Sequence, residues 1–113
     1  MRPLKVMLCA LVSIVSYILG GLLNVAAISA NNGMMPVYVG KLTNQEIFLD
    51  NEHVSMATYS HLKILCDYIS IGDTIASPGD VLLVLGFLGL IVSFLVATYL
   101  IGKAVKNKLN LVN

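Results

Sequence analysis

Two long uncharged stretches divide the chain. No Asp, Glu, Lys or Arg occurs from Val6 to Ala30, and none occurs across the 22 residues from Val81 to Gly102. Each stretch exceeds the roughly 20 apolar residues that a helix needs to cross a hydrocarbon core. The pattern predicts transmembrane helices over 6–30 and 80–102. A cleaved leader also starts with basic residues and ends on small ones, as "NVAAISA" does. The first run is too long for it, since leader cores span about 7–15 residues. Leu8 stands where a lipoprotein signal ahead of Cys9 needs a small residue.

Between the runs, 31–79 is mixed. "NNGMMPVYVG" opens with turn chemistry at Asn31, Asn32 and Gly33, and Pro36 pushes Met35 into an extended conformation. Met34 to Val39 is apolar but too short to span. "KLTNQEIFLDNE" is polar and reads as loop or weak helix. From His53 to Ser70, the spacing of Thr58, Leu62, Leu65 and Ile69 predicts an amphipathic helix lying on the membrane surface. A Gly/Pro/Asp-rich connector, "IGDTIASPGD", leads into the second run.

The second run starts behind an acid, Asp80. A proton relay would explain that residue alone. A helix start explains three residues together: Ser77 as N-cap, Pro78 at the first helical position, and Asp80 reaching back to the cap backbone beside the positive end of the helix dipole. The helix start is the preferred reading.

Composition sets the solvent. The chain has 113 residues, 58% of them hydrophobic and 12% charged, with a mean hydropathy of +0.87. Soluble domains carry about 25% charged residues, and a chain this short buries too small a share of its surface to hide so much apolar area. Its net charge of +1, without a basic patch, argues against nucleic acid. The few charges are sorted: Arg2, Lys5, Lys103, Lys106 and Lys108 flank the runs, while all six acids lie between them. By the positive-inside rule both termini face the cytoplasm and 31–79 lies outside, with 103–113 as a basic cytoplasmic tail. The expected architecture is therefore an all-α membrane protein: two transmembrane helices in an antiparallel hairpin, with an extracytoplasmic cap containing an amphipathic helix over about 53–70.

Small residues recur every four positions at Ser16, Gly20 and Asn24, and at Gly89, Ser93 and Ala97. Such stripes let helix backbones approach closely. Counting depth from the basic ends predicts Gly20 opposite Gly89 and Ser16 opposite Ser93. No ionisable acid or base lies deep in either run, which argues against a pump, transporter or voltage sensor. His53 and His61 do not have the spacing of a metal helix, and Cys9 and Cys66 fall on opposite sides of the expected membrane. No catalytic residues, cofactor or metal ligands are assigned.

"NNGMMPV", "HLKILCDYI" and "SPGDVLLVLG" together resemble an uncharacterised family of small bacterial membrane proteins, a domain of unknown function. The matching positions are Asn32, Gly33, Met35, Pro36 and Val37, then Leu62, Leu65 and Asp67, then Ser77, Gly79 and Asp80. The resemblance runs from about residue 15 to 100. Family members tend to be longer, with further spans upstream, and Asn31 to Met34 departs from the Asn-Gly-Gly-polar pattern. The resemblance implies that 32–37 and 77–80 meet at the outer mouth of the hairpin. The expected function is a non-enzymatic accessory or assembly subunit in the bacterial cytoplasmic membrane, with membrane lipids, other transmembrane subunits or further copies as partners. A phage-type permeabilising or exclusion protein is one alternative. The other is an outer-face lipid- or metal-binding enzyme using His53, His61, Asp67 and Asp73.

Overall fold

The computed structural model describes residues 2–112. Two helices dominate it, α1 (Pro3–Ala30) and α2 (Pro78–Val112), and both are long and apolar enough to cross a membrane. They pack side by side along a molecule 75 Å long and little more than 20 Å wide. The second helix does not stop where its apolar run ends: it continues through the basic segment to Val112.

The contact between the helices is narrow and has a period of seven. On α1 the buried positions are Val6, Ser13, Gly20 and Ala27, and on α2 they are Gly79, Gly86 and Ser93. A repeat of 3.5 residues per turn keeps one seam facing the partner, and small residues on that seam allow close backbone approach. Gly20 lies against Gly79 and Leu83, while Gly86 lies against Ser13 and Tyr17. A methyl group added at Gly86 would fall 2.6 Å from the Ser13 carbonyl oxygen and the Tyr17 nitrogen. The closeness thus depends on the missing side chain.

The expected register is corrected. Gly89 meets Ser13, not Gly20, and Ser16 donates its hydroxyl to the Leu82 carbonyl at 2.9 Å rather than facing Ser93. The offset is seven residues, about 10 Å along a helix. Depth counted from the basic ends misleads because α2 extends nearly three turns past Gly102. Its first turn is fastened beside Asn24, short of the end of α1.

The connecting segment is not a surface helix, and the chain is not purely α. It holds four three-residue strands: β1 (Met35–Val37), β2 (His53–Ser55), β3 (Ile69–Ile71) and β4 (Thr74–Ala76). β1 pairs in parallel with β2, and β3 with β4 form a hairpin turning at Gly72 and Asp73. On its other side β1 bridges Asp67, whose N–H donates to Pro36 O while its carbonyl accepts from Tyr38 N–H. Pro36 thus joins the ladder through its carbonyl, where its lack of an N–H costs nothing. Within 53–70 the only helical piece is one 3-10 turn, Lys63–Leu65. The spacing of Thr58, Leu62, Leu65 and Ile69 is overridden by strand bonding at Val54 to Met56 and by Leu62, which sits in the left-handed region at φ 51°.

The first helix ends on Asn31. Its last turn closes with Gly33 N–H bonded to Ile28 O, across Asn32 at φ 58°, a left-handed C-terminal cap. The Asn31 amide then clamps the distant backbone of His61, donating to its carbonyl and accepting from its N–H, both at 2.8 Å. Ala27, Met35, Met56 and Cys66 pack into a small apolar core under this clamp.

Candidate functional site

Where the connecting segment meets the helix pair, the molecule has a polar recess of about 390 Å³. Its lining comes from both helices and three points of the connecting segment: Asn24 and Ile28 from α1, Gly33 and Met35 after it, Glu52 and His53 at β2, Asp67 from the bridge, and Asp80 from α2.

One wall is built by the first turn of α2. Ser77 Oγ accepts the Asp80 N–H at 3.1 Å, and an Asp80 carboxylate oxygen accepts the Ser77 N–H, also at 3.1 Å. This reciprocal pair satisfies donors that a helix start leaves open. Asn24 ties α1 to the same turn, its Nδ2 donating to Asp80 at 2.8 Å and its Oδ1 accepting from the Ser77 hydroxyl at 2.7 Å. Gly79 makes room for this bond, since a Cβ there would collide with the Asn24 amide.

Asp67 forms the opposite wall. It is 5% exposed, and its Oδ1 has no hydrogen-bond partner. Such a group is costly in low-dielectric surroundings. Burial, reinforced by the charge of Asp80 and only partly offset by His53, pushes the Asp67 carboxyl up to about 6. The His53 ring lies between two acids: its Nδ1 is 2.9 Å from the Asp50 carboxylate, and its Nε2 is 3.9 Å from Asp67 Oδ2. The Glu52 N–H, followed by His53, holds the exposed Asp50 carboxyl below its ordinary value.

Of the residues expected to act together at an outer face, the structure joins only His53 and Asp67. His61 is held through its backbone by Asn31, and Asp73 is exposed in the β3–β4 turn. Among the described residues no three His, Cys, Asp or Glu side chains are grouped to hold a metal ion. Of the positions carrying the family resemblance, Gly33, Met35, Asp67 and Asp80 line the recess, while Pro36 and Val37 are buried in the β1 ladder and Asn32 is an exposed capping residue. Ala97 sits further along the helix pair, beside Pro3, Val6 and Met7. Cys66 is fully buried, its thiol pushed up to about 11 by burial and then by Asp67, whereas Cys9 is exposed on α1. The sequence did not point to the Asn31 clamp or the Asp50–His53 contact; the only hint was the concentration of all six acids between the helices.

The fold defines a class: a pair of close-packed helices long and apolar enough to cross a membrane, joined by a small strand-containing unit with an acidic recess at the junction. The chain belongs to the DUF5317 family, a family of unknown function, whose model matches residues 6–92. The match covers the whole recess and nearly all of the helix seam. No curated protein and no solved structure matches the chain.

Proposed function

We propose that the protein is a non-enzymatic integral membrane protein serving as an accessory or assembly subunit of a larger membrane complex. Both helices cross the bacterial cytoplasmic membrane, the termini are cytoplasmic, and the strand-containing unit lies outside. Charge placement supports the orientation: Arg2, Lys5, Lys103, Lys106 and Lys108 lie at the ends of the helices away from the strand-containing unit, whereas all six acids, with only Lys41 and Lys63 to offset them, lie in the connecting segment or, for Asp80, in the first turn of α2.

The observation that carries this reading is the narrowness of the helix seam. Only 11% of the most apolar window of each helix is buried within the chain. Large side chains such as Phe87, Phe94, Leu11 and Ile18 point away from the partner helix. The uncovered faces require lipid or further spanning helices, and a core helix of a water-soluble protein has no such need.

Gentle extraction from the native membrane, followed by sizing and mass spectrometry, tests the proposal. A stoichiometric protein partner supports it. Recovery as a self-assembly alone favours the permeabilising reading, for which leakage of dye-loaded vesicles is the direct measurement.

A further inference from the structure

We propose that the recess between Asp67 and Asp80 binds a primary ammonium group, as found on a free amine or on an ethanolamine lipid headgroup. This does not depend on the subunit reading; only the lipid source depends on the helices crossing a membrane.

The strongest observation is Asp67. Its side chain is buried, faces the recess and leaves Oδ1 without a donor. Buried polar groups in folded proteins are nearly always satisfied, so an exception at a cavity wall marks a place for a ligand. The neighbouring groups make the same demand. Asp80 adds a second carboxylate, and Glu52 a third acid at the rim. No Lys or Arg lines the recess, so it contains a surplus of acceptors and negative charge.

The chemistry selects the kind of cation. A metal ion needs several oxygens converging at about 2.0–2.6 Å. Here the acids are not grouped that way, and Asp80 already accepts from Asn24 and Ser77. A primary ammonium carries one charge and three N–H donors, and each makes a charge-assisted bond at about 2.7–2.9 Å. It can donate to the Asp67 carboxylate while Asp80 and Glu52 in the same recess meet its charge. A quaternary ammonium brings the same charge but no donor, and it leaves Oδ1 unsatisfied. The volume of about 390 Å³ accommodates an ethanolamine headgroup, and the recess opens where the last turns of α1 meet the first turn of α2.

The full chain in detergent is titrated with ethanolamine, tetramethylammonium, Mg²⁺ and Ca²⁺, following the carboxyl carbon of Asp67 by NMR. The chain is also placed in bilayer discs of phosphatidylcholine with and without phosphatidylethanolamine, and the retained lipid is read by native mass spectrometry. Ethanolamine is expected to shift the Asp67 signal and tetramethylammonium to leave it unmoved. One charge-assisted contact corresponds to about tenfold or more in preference. Retention of the ethanolamine lipid over the choline lipid supports the headgroup source. A response to free ethanolamine without lipid preference supports the same site with a soluble amine. Asp67→Asn is expected to abolish the preference, while Asp73→Asn, in the exposed turn, keeps it. An Asp67 signal indifferent to every probe means that the recess holds only water, and one that responds to Mg²⁺ or Ca²⁺ but not to ethanolamine means a metal site. Equal responses to ethanolamine and tetramethylammonium mean that charge alone acts. Each of these three results overturns the proposal, and each is read on the wild-type chain.

Discussion

Asn24 of α1 donates to the carboxylate of Asp80 in the first turn of α2 at 2.8 Å, a bond made in the observed offset of the two helices. The same amide accepts the Ser77 hydroxyl, so one side chain fastens α1 to the start of α2. Asn24→Ala removes both bonds and leaves their partners partly desolvated. It is expected to lower stability by about 1–2 kcal/mol, within the range for buried and interhelical hydrogen bonds. Thermal unfolding of the detergent-solubilised chain measures it, and a melting temperature unchanged from wild type counts against the fastening role.

Glycines at two depths of α2 predict opposite outcomes. A methyl group at Gly86 meets the backbone of Ser13 and Tyr17, which cannot move aside without parting the helices, whereas one at Gly102 meets nothing within 4 Å. Gly86→Ala is expected to destabilise by about 1–3 kcal/mol, as overpacking does. Gly102→Ala is expected to be neutral or to stabilise by up to about 1 kcal/mol through helix propensity. Comparing the two melting temperatures tests whether the seven-residue seam is the true contact.

The buried Asp67 gives stability a specific pH dependence. Its carboxyl lies at about 6 in the fold against 3.8 for an ordinary aspartate, so the folded chain holds this proton more tightly than the unfolded chain. Stability is therefore expected to fall as pH rises from about 4 to about 6, and the full cost remains above that window. Asp50 acts with the opposite sign and at lower pH, since its carboxyl is held below 3.8. Asp80, His53 and Glu52 face the same recess and stay in place in Asp67→Asn, which is expected to flatten the decline. A melting-temperature profile from pH 4 to 8 that is the same in both proteins would falsify this assignment.

Leu62 adopts φ 51° and ψ 44°, a conformation that costs an L-residue roughly 1–2 kcal/mol. It is held there because Asn31 grips the backbone of His61 immediately before it. The Leu62 side chain is 46% exposed, so little packing is lost on its removal. Leu62→Gly is expected to raise stability by up to about 1 kcal/mol, net of the added freedom of the unfolded chain. Asn31→Ala is expected to lower it, and amide exchange over 58–67 should accelerate in that variant alone.

The sequence by itself determined what depends on neighbours and on solvent. Two uncharged runs give two helices long enough to cross a bilayer, because every backbone polar group in such a run must be paired internally. The bonds between Ser77 and Asp80 join residues three positions apart, a range over which residue type and spacing suffice. Tertiary structure decided the rest. The small-residue stripes at Ser16–Gly20–Asn24 and Gly89–Ser93–Ala97 fit several registers about equally well. The one adopted brings Asn24 to Asp80 and Gly86 to the backbone of Ser13 and Tyr17, contacts that no local pattern encodes. The weak helical spacing in 53–70 yielded to β1, which collects β2 on one side and Asp67 on the other, so that backbone bonding between distant segments outweighed local periodicity. Asp67 and Asp80 acquire their shared recess in the same way. Burial and electrostatic pairing are properties of positions in space, and these positions become neighbours only once both helices and the strands between them are in place.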